Sequence, residues 1–284
     1  MIPNLKNTNK KFPLNRKQWT LFKIIISIIF LVTVIVGGVL LDEERIVTNL
    51  NERNSAPSLE HFFGTDWLGR DMFARTVMGL SLSIGVGLIG AIGSTLIALF
   101  LGMAAATMGK MADRIISWII DLFLSVPHLV TLILIAFTLG GGFKGIVIGL
   151  TLTHWPSLAR VIRAEVMQVR SAEYVQVSQK MGKSRWWIAV HHILPHIVPQ
   201  LLIGFMLLFP HVILHEAAVT FLGLGLSPHE PAIGIILSES MKYLSSGMWW
   251  LAFFPGLCLL IVVRMFDQIG ENLRVLMDPT RSHD

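Results

Sequence analysis

Charge is scarce in this sequence. Only 14% of its 284 residues are Asp, Glu, Lys or Arg, where a soluble globular domain carries about a quarter. With 53% of residues hydrophobic, that deficit excludes an ordinary soluble domain. Cysteine is rarer still. The single Cys258 excludes an intramolecular disulfide and a Cys-rich metal site; inside an apolar run it reads as a small buried hydrophobe. Catalytic signatures are missing too. Gly182-Lys183-Ser184 imitates the end of a Walker A loop, but the glycine required five residues earlier is Val177. His215-Glu216 begins like H-E-x-x-H, yet the fifth position is Val219. No G-x-S-x-G elbow offers a serine nucleophile, and there are no internal repeats or low-complexity tracts. The net charge of +5 is spread between apolar runs rather than gathered on one face, which speaks against nucleic acid.

What the chain has instead is apolar length. A membrane helix needs about 20 predominantly apolar residues, and six candidate spans meet or approach that: roughly 24–41, 82–107, 115–139, 143–160, 197–217 and 248–267. The fourth is diluted by Thr151, Thr153, His154 and Pro156. Lys10, Lys11, Arg16, Lys17 and Lys23 before the first run resemble a signal peptide's charged region. The run is too long for one, and Leu41-Asp42-Glu43-Glu44 offers no small-residue cleavage site, so a retained first helix is expected. With a cytoplasmic N-terminus, 17 of the 23 Lys and Arg residues fall inside and six (Arg45, Arg53, Arg70, Arg75, Lys144, Lys242) outside. The positive-inside rule predicts that asymmetry. The expected organisation is therefore a cytoplasmic tail 1–23, a first span 24–41, an extracytoplasmic segment 42–79, a core 80–271 containing a cytoplasmic loop 172–196, and a cytoplasmic tail 272–284.

Span two carries Gly90, Ser94, Ala98, Gly102 and Ala106 at four-residue intervals, a small-residue stripe that lets another helix backbone approach closely; packing within the bundle is the favoured reading. Prolines 127, 156, 199, 210 and 255 fall within spans, where each removes a backbone hydrogen bond and predicts a kink.

Three segments carry motifs. His61-Phe-Phe-Gly64-Thr65-Asp66-Trp-Leu-Gly69-Arg70-Asp71, followed by Arg75, places Asp66, Arg70 and Asp71 where they can build a charge cluster at the start of span two; a structural clasp is the plainer reading. Glu216-Ala-Ala-Val-Thr-Phe-Leu-Gly223-Leu-Gly225 follows span five. Its glycines predict backbone turns closed to other residues, and Glu216 at membrane depth is either a functional acid or a structural one bonded to its surroundings. The loop Ala172–His196 is polar and basic. Gly182 would turn it sharply, Tyr174, Met181 and Trp186 would supply apolar contacts to a partner, and Lys180, Lys183 and Arg185 would rim them.

Histidines deserve separate weight. His128, His154, His211 and His215 lie in or beside spans, where ionisable groups are rare and usually face a cavity; each singly reads as a packing residue, and four together exceed what packing needs. His191, His192 and His196 could bind metal in principle, but Pro195 is expected to interrupt the helix that would align 192 with 196. No metal site is assigned.

These segments resemble permeases of ABC importers, in the dipeptide/oligopeptide/nickel branch and its second ("C-type") subunit, over about residues 15–280. The first matches H-x-x-G-T-D-x-x-G-R-D at every signature position, and the second resembles E-A-x-L-S-F-L-G-L-G, with Val219 and Thr220 in place of its leucine and serine. The third matches a coupling loop through Gly182 and its Ile193-Leu194-Pro195 close. Two departures stand out: Gln176-Val177-Ser178 replaces the family's E-A-A, and Ile233 replaces a tryptophan. The resemblance implies an all-α membrane protein, a six-helix type I importer domain with both termini cytoplasmic, multi-pass in the cell membrane and surrounded by lipid. It implies a homologous second permease, two cytoplasmic ATP-binding subunits that use ATP and magnesium, and an extracytoplasmic substrate-binding protein, with no cofactor held by this chain and no enzymatic activity of its own. Glu173, Tyr174, Ser178, Met181, Gly182, Lys183, Ser184 and Trp186 would grip the ATPase. Leu152-Thr-His-Trp155, Ala159-Arg160 and Ile213-Leu214-His215-Glu216 look closer to nickel-type members, so a transition metal or metal–chelate (nickel, cobalt or zinc-metallophore type) is the expected cargo. Dipeptide or oligopeptide import is the alternative, and a channel or an intramembrane enzyme is remote.

Overall fold

The computed structural model describes residues 16–277; Lys10, Lys11 and the last seven residues lie outside them. Among the described residues every regular element is helical. Five helices are long and apolar enough to cross a bilayer: α1 (Arg16–Leu40), α2 (Met72–Thr107), α5 (Gly142–Ser171), α8 (Leu194–Phe221) and α10 (Trp250–Met277). A sixth span is available only by joining α3 (Lys110–Ser125) to α4 (His128–Thr138), which meet at a bend of 96°. Shorter helices α6 (Glu173–Lys180), α7 (Arg185–Ile188) and α9 (Ile233–Met241) complete the set.

The α3–α4 break falls at Pro127, where a kink is expected, and divides the 115–139 stretch into two helices. Pro127 forces the residue before it out of the helical region, and Val126 is extended (φ −96°, ψ 140°). The chain turns there and restarts with Pro127 at the N-cap position of α4.

Two other bounds differ. α5 does not end near 160 but runs unbroken past Pro156 to Ser171. Its charged half is tied down from the side: Arg163 Nε lies 2.5 Å from Asp113 Oδ1 and Arg160 Nη2 2.7 Å from Asp121 Oδ1, both on α3. The loop expected over 172–196 is shorter than that. Residues 185–193 already wind into the fifth span through a π turn at Ala189–Ile193, so helix is continuous across Pro195. The π turn just before Pro195 is the local adjustment by which a membrane helix accommodates a proline's missing N–H.

Between apolar helices in lipid there is no gain from leaving water, so close packing must hold the bundle. α2 is its spine. Gly90, Ser94, Ala98, Gly102 and Ala106 are all buried, and several of them set α2 against α5. A Cβ on Gly90 would lie 2.9 Å from Leu150 Cβ, and one on Gly102 2.9 Å from the Ala159 carbonyl. Ser94 Oγ reaches the carbonyls of Leu150 and Thr151 at 3.0 and 2.9 Å. On the far side Phe209 of α8 is fully buried, 3.8 Å between ring centres from Phe266 of α10. α1 is the least enclosed span, with Ile25, Ile29 and Val32 exposed, as expected of a helix with one face in lipid.

Candidate functional site

The segment between α1 and α2 folds onto itself around Asp66. Its Oδ1 accepts the N–H groups of Leu68 and Arg70, both at 2.9 Å; its Oδ2 takes Arg70 Nε at 2.7 Å and Arg75 Nη1 at 2.6 Å. The same two arginines reach Glu239 of α9, Arg75 Nη2 at 2.8 Å and Arg70 Nη2 at 3.3 Å. Asp71 caps α2 by accepting Ala74 N–H at 2.8 Å, and its other oxygen meets His61 Nδ1 at 2.8 Å. That pairing, then the charge of Asp71 and Glu52, holds the His61 imidazole above its ordinary pKa, against a smaller opposing effect of burial. Thr65 bonds Ser55 N–H and the Glu52 carbonyl. Gly64 and Gly69 adopt positive φ, and a Cβ on Gly69 would collide with the Asn49 carbonyl. Glu239 escaped the sequence reading because nothing in its neighbourhood marks it; it is 164 residues from Arg75.

The Glu216–Gly225 segment closes a second contact. Glu216 is fully buried, accepts Thr220 Oγ1–H at 2.9 Å and lies beside Ser83 of α2. A Cβ on Gly234 would lie 2.4 Å from the Ala217 carbonyl, so α9 enters directly against α8. Of the two glycines expected to turn the chain, only Gly223 has positive φ. Gly225 serves close approach instead: a Cβ there would meet Thr220 Oγ1 at 2.2 Å. Ile233, standing where the family has tryptophan, is fully buried, with its N–H 3.4 Å from Ser83 Oγ.

α6 projects from the end of α5. Val175 is its buried anchor, while Tyr174, Val177, Met181 and Trp186 are exposed, the last by 78%. Glu173 and Lys183 are exposed around them. Gly182, at φ +79° with nothing near a would-be Cβ, is there for its conformation alone. Ser184 caps α7 by accepting Trp187 N–H at 3.1 Å, and Lys183 Nζ lies 4.7 Å from the Trp187 ring centre. Ser178 Oγ meets His192 Nε2 at 2.9 Å, with the Tyr174 ring edge-on to the same imidazole. His191 stacks on Trp187 at 4.4 Å, and His196 Nε2 faces Glu165 Oε1 at 3.6 Å. These three histidines are thus drawn to different partners.

The intramembrane histidines behave differently. His128 opens α4, His154 lies mid-α5 and His215 lies on α8, yet their rings converge, with centres 4.2 Å (128–154), 4.6 Å (128–215) and 5.2 Å (154–215) apart. His154 Nε2 and His215 Nδ1 are 3.3 Å apart. His211, one turn before His215, joins only through its carbonyl, which accepts His215 Nδ1–H at 2.7 Å. Its side chain instead lines a groove with Ser157, Gln200 and Arg274. Glu216, although adjacent in sequence, faces α2 rather than the histidines.

Residues 96–274, which take in α6 and all three converging histidines, match the family model described as "Binding-protein-dependent transport system inner membrane component". The dipeptide transport system permease protein DppC of Bacillus subtilis (strain 168) is 31% identical over 266 residues, 94% of this chain and 83% of that protein. The oligopeptide transport system permease protein OppC of the same organism is 35% identical over 232 residues, 82% of this chain and 76% of that one. Among solved structures, an inward-facing form of the MetNI methionine ABC transporter superposes with a TM-score of 0.59 at 17% identity, over 73% of this chain and 98% of that chain. At that identity the likeness concerns the fold alone. The named relatives are peptide permeases, which favours the peptide alternative over the metal cargo expected from the sequence.

Proposed function

Since the chain belongs to the family of binding-protein-dependent transport system inner membrane components, and is a multi-pass permease subunit of an ABC importer, we propose that its cargo is a dipeptide or short oligopeptide. It would form half of the pathway beside a second permease, with two ATP-binding chains docking on the cytoplasmic side and a binding protein delivering cargo outside. The peptide names of its relatives support this cargo. The gripping surface is the exposed apolar set Tyr174, Val177, Met181 and Trp186, rimmed by Lys180, Lys183 and Arg185. One observation carries that assignment: a short helix anchored by a single buried Val175 holds large apolar side chains out in water, a cost the isolated chain does not recover and an ATPase groove would. ATP hydrolysis then belongs to those separate chains, and both termini share the cytoplasmic side with α6.

Purification of the tagged full chain from its own membrane in mild detergent should bring an ATP-binding chain with it, and Trp186→Glu with Met181→Glu should remove that chain while leaving the permease folded. Radiolabelled dipeptide uptake should vanish in a strain lacking the gene. Retained uptake overturns the cargo; external labelling of a cysteine placed at Lys183 in sealed vesicles overturns the orientation.

A second reading, a metal or metal–chelate cargo, is favoured by the three converging histidines. Loss of nickel or cobalt uptake with intact peptide uptake in the same strain would favour it.

A further inference from the structure

We propose that His128, His154 and His215 form a binding site for one divalent late first-row transition ion, of the zinc, nickel or cobalt class. The site belongs to this chain's own side chains and stands whichever cargo the importer carries.

The geometry points to a ligand set rather than to packing. Each of the three can offer one ring nitrogen, and among the described residues these three nitrogens lie within 4.8 Å of one another. A tetrahedral ion with nitrogen ligands at about 2.0–2.1 Å needs those nitrogens about 3.3–3.4 Å apart. The three ring nitrogens stand no more than 4.8 Å apart, so rotation of the rings has to close the set on an ion.

Tautomers are set in the same sense. A carbonyl oxygen can only accept, so the ring nitrogen facing it carries the proton. His154 Nδ1 donates to the Leu150 carbonyl at 3.0 Å, leaving Nε2 bare. His128 Nε2 donates to the Thr153 carbonyl at 3.2 Å, leaving Nδ1 bare; that atom is buried and has no hydrogen-bond partner. His215 Nδ1 donates to the His211 carbonyl, leaving Nε2. A backbone acceptor on the non-ligating nitrogen is the arrangement that orients metal-bound histidines. Imidazoles without carboxylates or thiolates select zinc, copper, nickel and cobalt over magnesium and calcium. Three protein ligands leave a fourth position for water or for a donor atom of the cargo.

The place has mechanical meaning. His128 is the first residue after the 96° bend between α3 and α4, and an ion shared with α5 and α8 would pin that bend to two long spans.

The test uses the full chain purified with its partner subunits, stripped with a chelator and dialysed against zinc or nickel. One ion per chain is expected, and cobalt added instead should give visible absorption bands of a low-coordinate site. His128→Ala and His215→Ala, at half-exposed positions, should each weaken binding at least ten-fold, and His191→Ala should leave it unchanged. Because His154 is buried, His154→Gln is read only beside a thermal-unfolding trace. No binding, or equal loss in His191→Ala and His128→Ala, overturns the proposal and leaves a hydrated polar spot only. Co-purification of the ATP-binding chain from the same sample reports separately on the importer assignment.

Discussion

Arg75 Nη1 lies 2.6 Å from Asp66 Oδ2, with only 5% and 4% of the two side chains exposed. Neither charge could be stranded there. Asp66 also accepts three other bonds, and Arg75 also holds Glu239, so the pair fastens the outer segment to α2 and α9. Removing one partner of a buried pair leaves the other uncompensated, at a cost of about 3–5 kcal/mol. Asp66→Asn and Arg75→Met should therefore each lower the detergent-unfolding midpoint strongly, and the double variant should lose less than the two losses added. Full additivity would refute the coupling.

His61 gives this clasp a pH dependence. Its pKa is raised in the fold, chiefly by Asp71, so the stability it contributes is complete below its ordinary value near 6.5 and is lost as pH rises through the raised value. Protease cleavage within residues 42–71 should accordingly be slower at pH 5.5 than at pH 8.5. His61→Asn should flatten the profile. An unchanged profile in that variant would place the titration elsewhere.

Gly90 and Gly102 set the distance between α2 and α5. A methyl at Gly102 would press on the Ala159 carbonyl, which is backbone and cannot swing aside. Overpacking of this kind costs about 1–3 kcal/mol. Gly102→Ala should destabilise the full chain by that order, while Gly85→Ala, where nothing lies within 4 Å, should be neutral or mildly stabilising. Equal effects would mean that the stripe is not what spaces the helices.

The helices were legible because lipid demands long apolar runs, and a run such as Ile24–Leu40 announces itself. Their ends were less so. Helical hydrogen bonding continues past the last apolar residue when ion pairs hold the charged turns, as Arg163 and Asp113 do for α5, so apolar length underestimates such a helix. Pro127 signalled a kink, but the size of the bend depends on what α4 packs against, and that partner lies in α5. The clasp motif showed Asp66 and Arg70 together without their distant partner Glu239. Four histidines stood out by rarity in a membrane; which of them converge depends on the α3–α4 break, which no local pattern encodes. His211 looked equivalent to His215 and is not.

Gly182 offers the cleanest separation of coupling from folding. At φ +79° an L residue pays about 1–2 kcal/mol, yet open space surrounds the position, so no packing is lost. Gly182→Val should lower the unfolding midpoint of the bundle by no more than that backbone cost, about a few degrees, because α6 is anchored through Val175 and not through the turn. It should nevertheless shift Met181 and Trp186 relative to Tyr174, since the turn sets the angle between α6 and α7. The expected result is an assembled or weakly assembled importer whose ATP hydrolysis no longer responds to cargo. Gly182→Asn, which tolerates the left-handed region better, should recover part of that response. If both variants transport as the parent does, the turn is not part of the grip, and the apolar set on α6 alone would have to carry it.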